Sequence, residues 1–336
     1  MLDYEIFELG DFVLQSGATL RDTKLAYKTY GTLDANKSNV IVYPTWYSGQ
    51  HYDNEWLIGE GMALDPQKYF IIIPNMIGNG LSSSPSNMPP PYNKARFPNI
   101  TFYDNVRAQY SLVTEKFGIE KIALVVGWSM GAGQTYQWAV SYPEMVERIF
   151  PFCGSAKTSL HNIVFLEGVK AALQADVAWK GGWYDEQPTT GLRAVGRVYA
   201  GWGLSQAYYR EKVYLQQGYS SLEDFLVAFW EGFFLRKDAN NLLTMLWTWQ
   251  KGNIGDTPGY EGNFEKALGA IKAKAIIMPA EMDLYFPPED NEYEVKFIPN
   301  AELRVIKSVW GHFAGGGVNP VDTKFIDDNI KELLAS

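Results

Sequence analysis

Ile122-Ala123-Leu124-Val125-Val126-Gly127-Trp128-Ser129-Met130-Gly131 is the stretch that decides the fold. An apolar run leads without a break into Gly-x-Ser-x-Gly, and a helical pattern over Ala132–Ser141 follows. Unbroken apolar runs of this length mark strands buried on both faces. A serine between such a strand and a helix sits on a sharp turn with strained backbone angles. Glycines two positions either side let the two backbones pass closely. The hydroxyl then projects from the carboxyl end of a sheet, near the positive end of the next helix. Chance produces the five-residue motif often. The strand before it and the helix after it are what make Ser129 a nucleophile candidate.

Working outward, near-continuous apolar runs recur at Val40–Tyr43, Tyr69–Pro74, Ile149–Phe152, Ala275–Met278 and Leu303–Ile306. Earlier, Glu5–Gln15 and Lys24–Thr32 alternate apolar and polar residues, the pattern of a half-exposed antiparallel entry. Helical patterns lie between strands, over Asp104–Phe117, and at the end, over Val321–Leu334. Strand and helix in alternation predict an α/β fold with a mostly parallel central sheet. Residues 158–266 break the rhythm. They hold Trp179, Trp183, Trp202, Trp230, Trp247 and Trp249, and read as helices joined by glycine-bearing turns such as Lys180-Gly181-Gly182. This block is expected to be a helical cap, or lid, inserted into a core formed by 1–157 and 267–336. The Pro/Ser-rich stretch Ser82–Tyr92 reads as a surface loop.

A serine hydroxyl needs a neighbour to take its proton. The chain has three histidines, His51, His161 and His312. Behind such an elbow the acid and then the base follow in chain order. Only His312, in the loop after the last strand, leaves room for an acid between it and Ser129. His51 and His161 are read as structural. The acid should lie just past Ala275–Met278, where Asp283 fits and Glu281, Glu289 and Asp290 compete. Its work is to fix the imidazole tautomer and stabilise the imidazolium. An oxyanion hole needs two backbone donors. One is expected at Met130, and the other at Thr45 or Trp46, which position alone does not separate.

The 336 residues are 46% hydrophobic and 15% aromatic, enough for a sizeable core. A net charge of −9 with no basic cluster argues against nucleic acid and membrane surfaces as partners. Cys153 is alone, so no intrachain disulfide can form. Three scattered histidines and one cysteine give no metal-ligand spacing, so no metal is expected. Met1–Glu8 lacks a signal-peptide pattern, and a reducing cytoplasmic setting is the expectation.

The ordered set of motifs resembles the homoserine O-acetyltransferase-like branch of the α/β-hydrolases, over nearly the whole chain. The resemblance is carried by Trp56–Gly61, Ala63-Leu64-Asp65, Pro74–Gly80, Ser129-Met130-Gly131, Ser159–Phe165, Lys237-Asp238-Ala239-Asn240, Asp283–Pro288 and Gly311-His312. It implies the α/β-hydrolase fold, Asp283 as the acid, and acyl-enzyme chemistry without a bound cofactor. Members are often homodimers through the cap. The family's nucleophile motif usually has glycines where Trp128 and Ala132 stand here, and its histidine is usually followed by an aspartate where Phe313 stands. A phenyl ring cannot hydrogen-bond an ammonium. The family's cap arginine resembles Arg197, but the spacing from Gly191 is one residue longer. Trp128, Arg197 and Phe313 are therefore the substrate-binding candidates. The branch also holds acetyl esterases, and Phe313 leans that way. The expected activity is hydrolysis of a small short-chain, acetyl ester. The alternative is acetyl transfer from acetyl-CoA to homoserine or another small alcohol, and a third class is a binding module without activity.

Overall fold

The computed structural model describes residues 2–336. Its strands are β1 (Glu5–Val13), β2 (Thr19–Tyr30), β3 (Val40–Val42), β4 (Phe70–Pro74), β5 (Leu124–Trp128), β6 (Arg148–Phe152), β7 (Lys274–Ile277) and β8 (Ala301–Leu303). They form one sheet in the order β1-β2-β4-β3-β5-β6-β7-β8. β1 and β2 are antiparallel to their neighbours, and the remaining pairs are parallel. The alternating strands are thus the antiparallel ones and the continuous apolar strands the parallel ones, as burial on one or two faces requires. β8 differs from the expected Leu303–Ile306. It pairs through Ala301, Glu302 and Leu303, and the chain then leaves the ladder, touching it again only at an Ala280–Ile306 bridge.

Side chains alternate across the sheet. Val40, Val42, Val125, Ile149 and Ile277 face one layer, with Val106 and Trp138 packed on them. Ile41, Leu124, Val126, Phe150 and Ile276 face the other, against Ile326 and Ile330 of the C-terminal helix Pro320–Leu334. Val106 belongs to α1 (Phe102–Ser111) and Trp138 to α2 (Met130–Ser141). α1 begins two residues before the pattern indicated, because Thr101 caps it and Asp104 returns a bond to the Thr101 amide. Its C-terminal end passes into a wider π-type turn, Leu112–Lys116.

Between β6 and β7 the described residues form helices and turns and no strand, including α3 (Leu160–Gln174), α4 (Thr189–Gly203) and the helix Ala239–Gln250. A further apolar cluster gathers Phe165, Leu192, Tyr199, Trp230 and Trp249 from this block onto Met130, Tyr285 and Phe286, at the carboxyl ends of the strands. The Ser82–Tyr92 stretch corrects the surface-loop expectation in part. Ser82, Ser83 and Ser84 are buried. The hydroxyls of Ser82 and Ser83 accept from the amides of Ala26 and Lys24, at 2.9 Å each, completing the β2 edge. Serine is polar in composition, but a hydroxyl can stand in for a missing strand.

One buried carboxyl ties the elements behind Ser129 together. Glu294, at the end of the helix Pro288–Glu294, accepts from Tyr136 Oη of α2, from Asn291 Nδ2 and from the Ala156 amide, each at 2.7 Å. Asn291 also donates to the Gly154 carbonyl at 3.0 Å. Burial pushes the Glu294 carboxyl from 4.5 up to about 7, against the pull of these donors. Between about pH 4.5 and 7 the folded chain holds a proton that the unfolded chain has released. Stability from this group is therefore present below that window and lost as pH rises through it, by on the order of 3 kcal/mol. Thermal unfolding measured from pH 4.5 to 8 should show this slope in the wild type and a flatter one in Glu294→Gln. Equal slopes would exonerate Glu294.

Candidate active site

β5 delivers Ser129 to the start of α2 with φ 57° and ψ −123°. A non-glycine residue held there stores about 1–3 kcal/mol of strain and persists only where its surroundings over-determine it. Those surroundings are close. A Cβ at Gly127 would overlap the Gly131 carbonyl, and one at Gly131 would come within 2.7 Å of the Pro44 carbonyl oxygen. Ser129 itself is the cap of α2, so the Met130 amide is the first of the helix and has no intrahelical acceptor.

The structure brings Ser129, His312 and Asp283 together. His312 Nε2 is 2.9 Å from Ser129 Oγ, and His312 Nδ1 is 2.7 Å from Asp283 Oδ2. All three are buried. It is Asp283, and not Glu281, Glu289 or Asp290, that reaches the imidazole. The other oxygen of Asp283 accepts from the amides of Tyr285 and Phe286, at 2.8 and 3.1 Å. With its carboxylate so held, Asp283 accepts a hydrogen bond from His312 Nδ1–H, which keeps the proton on Nδ1 and leaves the Nε2 lone pair facing the serine. The ring is clamped as well. Trp128 stacks on it at 5.0 Å, and Tyr285 meets it edge-on at 4.8 Å. Trp128 Nε1 also donates to the His312 carbonyl at 3.3 Å.

Of the two early-loop candidates for the oxyanion hole, Thr45 is already committed. Its amide donates to the Pro74 carbonyl at 3.3 Å, which leaves Trp46 as the candidate whose amide has no partner among the described residues. Sequence reasoning missed the residue that holds this loop. Gln134 Nε2 donates to the Thr45 carbonyl at 2.9 Å and to the Met130 carbonyl at 3.2 Å. Gln109 donates to Gln134 Oε1, and Trp138 Nε1 to Gln109, each at 2.7 Å. The available signal was a glutamine one turn past Met130, on the same face of α2.

Above the serine lies a cavity of about 200 Å³, walled by aromatic side chains that include Trp46, Trp128, Phe229, Trp230 and Phe313. Asp53 and His312 are the titratable acid and base on its wall, and no lysine or arginine lines it. His51 and His161 lie elsewhere. His51 is bonded to Asp3 and Asn75, and His161 packs on Trp202. Among the described residues no group of three or more His, Cys, Asp or Glu side chains could hold a metal ion. Among the same residues no helix is long and apolar enough to cross a membrane.

A family model described as alpha/beta hydrolase fold matches residues 48–315. The chain belongs to the α/β hydrolase fold family. This α/β hydrolase is 41% identical to an ethyl acetate hydrolase of Pseudomonas veronii, over 99% of this chain and 96% of that one. The crystal structure of an acetylester hydrolase from Corynebacterium glutamicum is similar at a TM-score of 0.96, with 40% identity, covering 99% of this chain and 96% of that one. A homoserine O-acetyltransferase of Chlorobaculum parvum is 34% identical over 90% of this chain and 87% of its own.

Arg197 is where this α/β hydrolase departs from the sequence expectation. It is exposed on α4 and does not line the cavity. Its guanidinium meets Glu231 at 2.6 Å and Glu223 at 2.6 Å. Arg197→Ala should therefore leave KM for small acetates within about two-fold while lowering Tm, because Glu231 loses a partner. A ten-fold rise in KM would return Arg197 to the substrate. Gln134→Met, which unpairs the Thr45 and Met130 carbonyls, should lower kcat about ten-fold with KM little changed, as a loosened oxyanion donor does. Unaltered kcat would mean that the loop holds its place without Gln134.

Proposed function

We propose that this α/β hydrolase cleaves short-chain carboxylic esters, acetates foremost, through an acyl-enzyme on Ser129. The observation that carries this reading is the bonded series Ser129 Oγ, His312 Nε2 and Nδ1, Asp283 Oδ2 at 2.9 and 2.7 Å, set beneath a small aromatic cavity. The ethyl acetate hydrolase and acetylester hydrolase relatives support it.

Ser129 Oγ attacks the ester carbonyl as His312 Nε2 takes its proton. The amides of Met130 and Trp46 hold the developing oxyanion. As the tetrahedral species collapses, His312 returns the proton to the leaving alkoxide, and the alcohol departs. Water then adds to the acyl-enzyme by the same route in reverse, giving the acid and restoring Ser129. A cavity of about 200 Å³ falls below the range of roughly 300–1,000 Å³ usual for larger ligands, which favours a short acyl chain and a small alcohol. Residues 158–266 would act as the cap that excludes water, with Tyr199, Phe229, Trp230 and Trp249 as its contribution to the wall.

Acetyl transfer to homoserine is the weaker reading. That acceptor brings an ammonium and a carboxylate. The cavity wall holds no cation for the carboxylate, and Phe313 presents a ring edge to Trp230 at 5.5 Å. The test is product partition from an activated acetyl ester, with and without homoserine. Acetate should be the sole acetyl-bearing product at an unchanged rate, and Ser129→Ala should lower kcat by about 10⁴-fold or more. O-acetylhomoserine appearing at the expense of acetate would replace hydrolysis with transfer, and full activity in Ser129→Ala would remove the acyl-enzyme.

A further inference from the structure

The cavity wall is aromatic, yet it is rich in buried donors. The hydroxyls of Tyr47, Tyr199 and Tyr285 and the indole N–H of Trp249 make no hydrogen bond within 3.5 Å to a described residue, although the Tyr47 and Tyr199 hydroxyls lie close to each other. The three tyrosines are 4%, 6% and 2% exposed. Their rings touch. Tyr47 stacks on Tyr199 at 5.7 Å, and Tyr285 stands edge-on to Tyr199 at 6.0 Å. Folded proteins pair nearly all buried polar atoms, so a cluster of exceptions on one wall calls for a functional account. Burial pushes all three phenols above their ordinary titration range, which keeps each hydroxyl protonated at neutral pH. A hydroxyl paired with another hydroxyl still leaves one proton of the pair without an acceptor.

We infer that Tyr47, Tyr199 and Tyr285 form a subsite for a second, hydrogen-bond-accepting oxygen, an ether or keto oxygen, on the alcohol part of an acetate ester. The inference rests on the acetyl-ester reading, since an acyl methyl leaves the remaining cavity to the alcohol. A plain alkyl acetate brings no acceptor beyond the ester group that the oxyanion amides engage. An ether or keto oxygen offers lone pairs and no proton, which complements a wall made of donors. A site built to bond a substrate oxygen discriminates against the analogue that lacks it.

The experiment compares kcat/KM for methoxyethyl acetate and butyl acetate, which differ by an oxygen in place of a methylene. It uses the wild type, Tyr47→Phe and Tyr199→Phe, with Ser129→Ala as the blank. The ratio of ether to alkyl ester should fall about 3- to 10-fold in at least one phenylalanine variant, the loss expected of a neutral hydrogen bond. Tm should fall little, because the only protein contact either variant loses is the one between the Tyr47 and Tyr199 hydroxyls. Both acetates form the same acyl-enzyme, so a role for the hydroxyls in holding the hydrolytic water would lower kcat for both and leave the ratio of their kcat/KM values unchanged. That result overturns the subsite, as does an unchanged ratio in variants that still turn over acetates. If the wild type hydrolyses neither ester, the acetyl-ester reading itself falls, and the subsite with it.

Discussion

Gly127 and Gly131 face each other where β5 passes into α2, and the site is arranged around that contact. Neither position has room for a Cβ. Because the two backbones meet there, Ser129 is forced to φ 57° and its hydroxyl is turned out of the sheet. The same absence of a side chain at Gly131 admits the Pro44 carbonyl, and with it the loop that carries Trp46. One close crossing therefore sets both the serine and the second candidate oxyanion donor. Gln134, reaching from α2 to the Thr45 carbonyl, fastens the loop to the helix it leans on. The strain at Ser129 is held by packing on every side, which is the condition for such strain to persist.

The imidazole is restrained in a different way. Its position is fixed by one charged hydrogen bond to Asp283 and by the faces and edges of Trp128, Tyr285 and Phe286. Aromatic walls exclude water while offering little that competes for the ring nitrogens. In such surroundings a hydrogen bond is stronger than in water, and an unpaired polar group is correspondingly more costly. That is why Asp283 needs the two amides on its far oxygen, and why the tyrosine hydroxyls of the cavity wall carry weight.

Much of this was legible in the sequence because it depends on local or ordered signals. The elbow is five consecutive residues. The parallel strands are unbroken apolar runs, and the acid and base follow the serine in chain order. Other features depend on rotation or distance, which residue type does not record. Arg197 lies one residue beyond the family's spacing, and on a helix one residue is about 100° of turn. That turn carries it to the outer face, where Glu223 and Glu231 meet it. Thr45 and Trp46 are separated only by a strand-end bond to Pro74. Ser82 and Ser83 read as surface and Glu294 carried no sequence signal, yet each is buried with partners supplied by segments distant in sequence.

The lone thiol has a practical corollary. Cys153 is fully buried beside Gly315, and burial pushes its thiol well above the usual range, so it holds almost no thiolate. Electrophiles added from solvent find no competent sulfur in the native protein. A cysteine placed anywhere on the surface would then be the sole site of alkylation, without first removing the natural one. A spectroscopic label could be set on the helices between β6 and β7 and a second on the sheet domain by other chemistry, and the separation of the two followed as substrate enters.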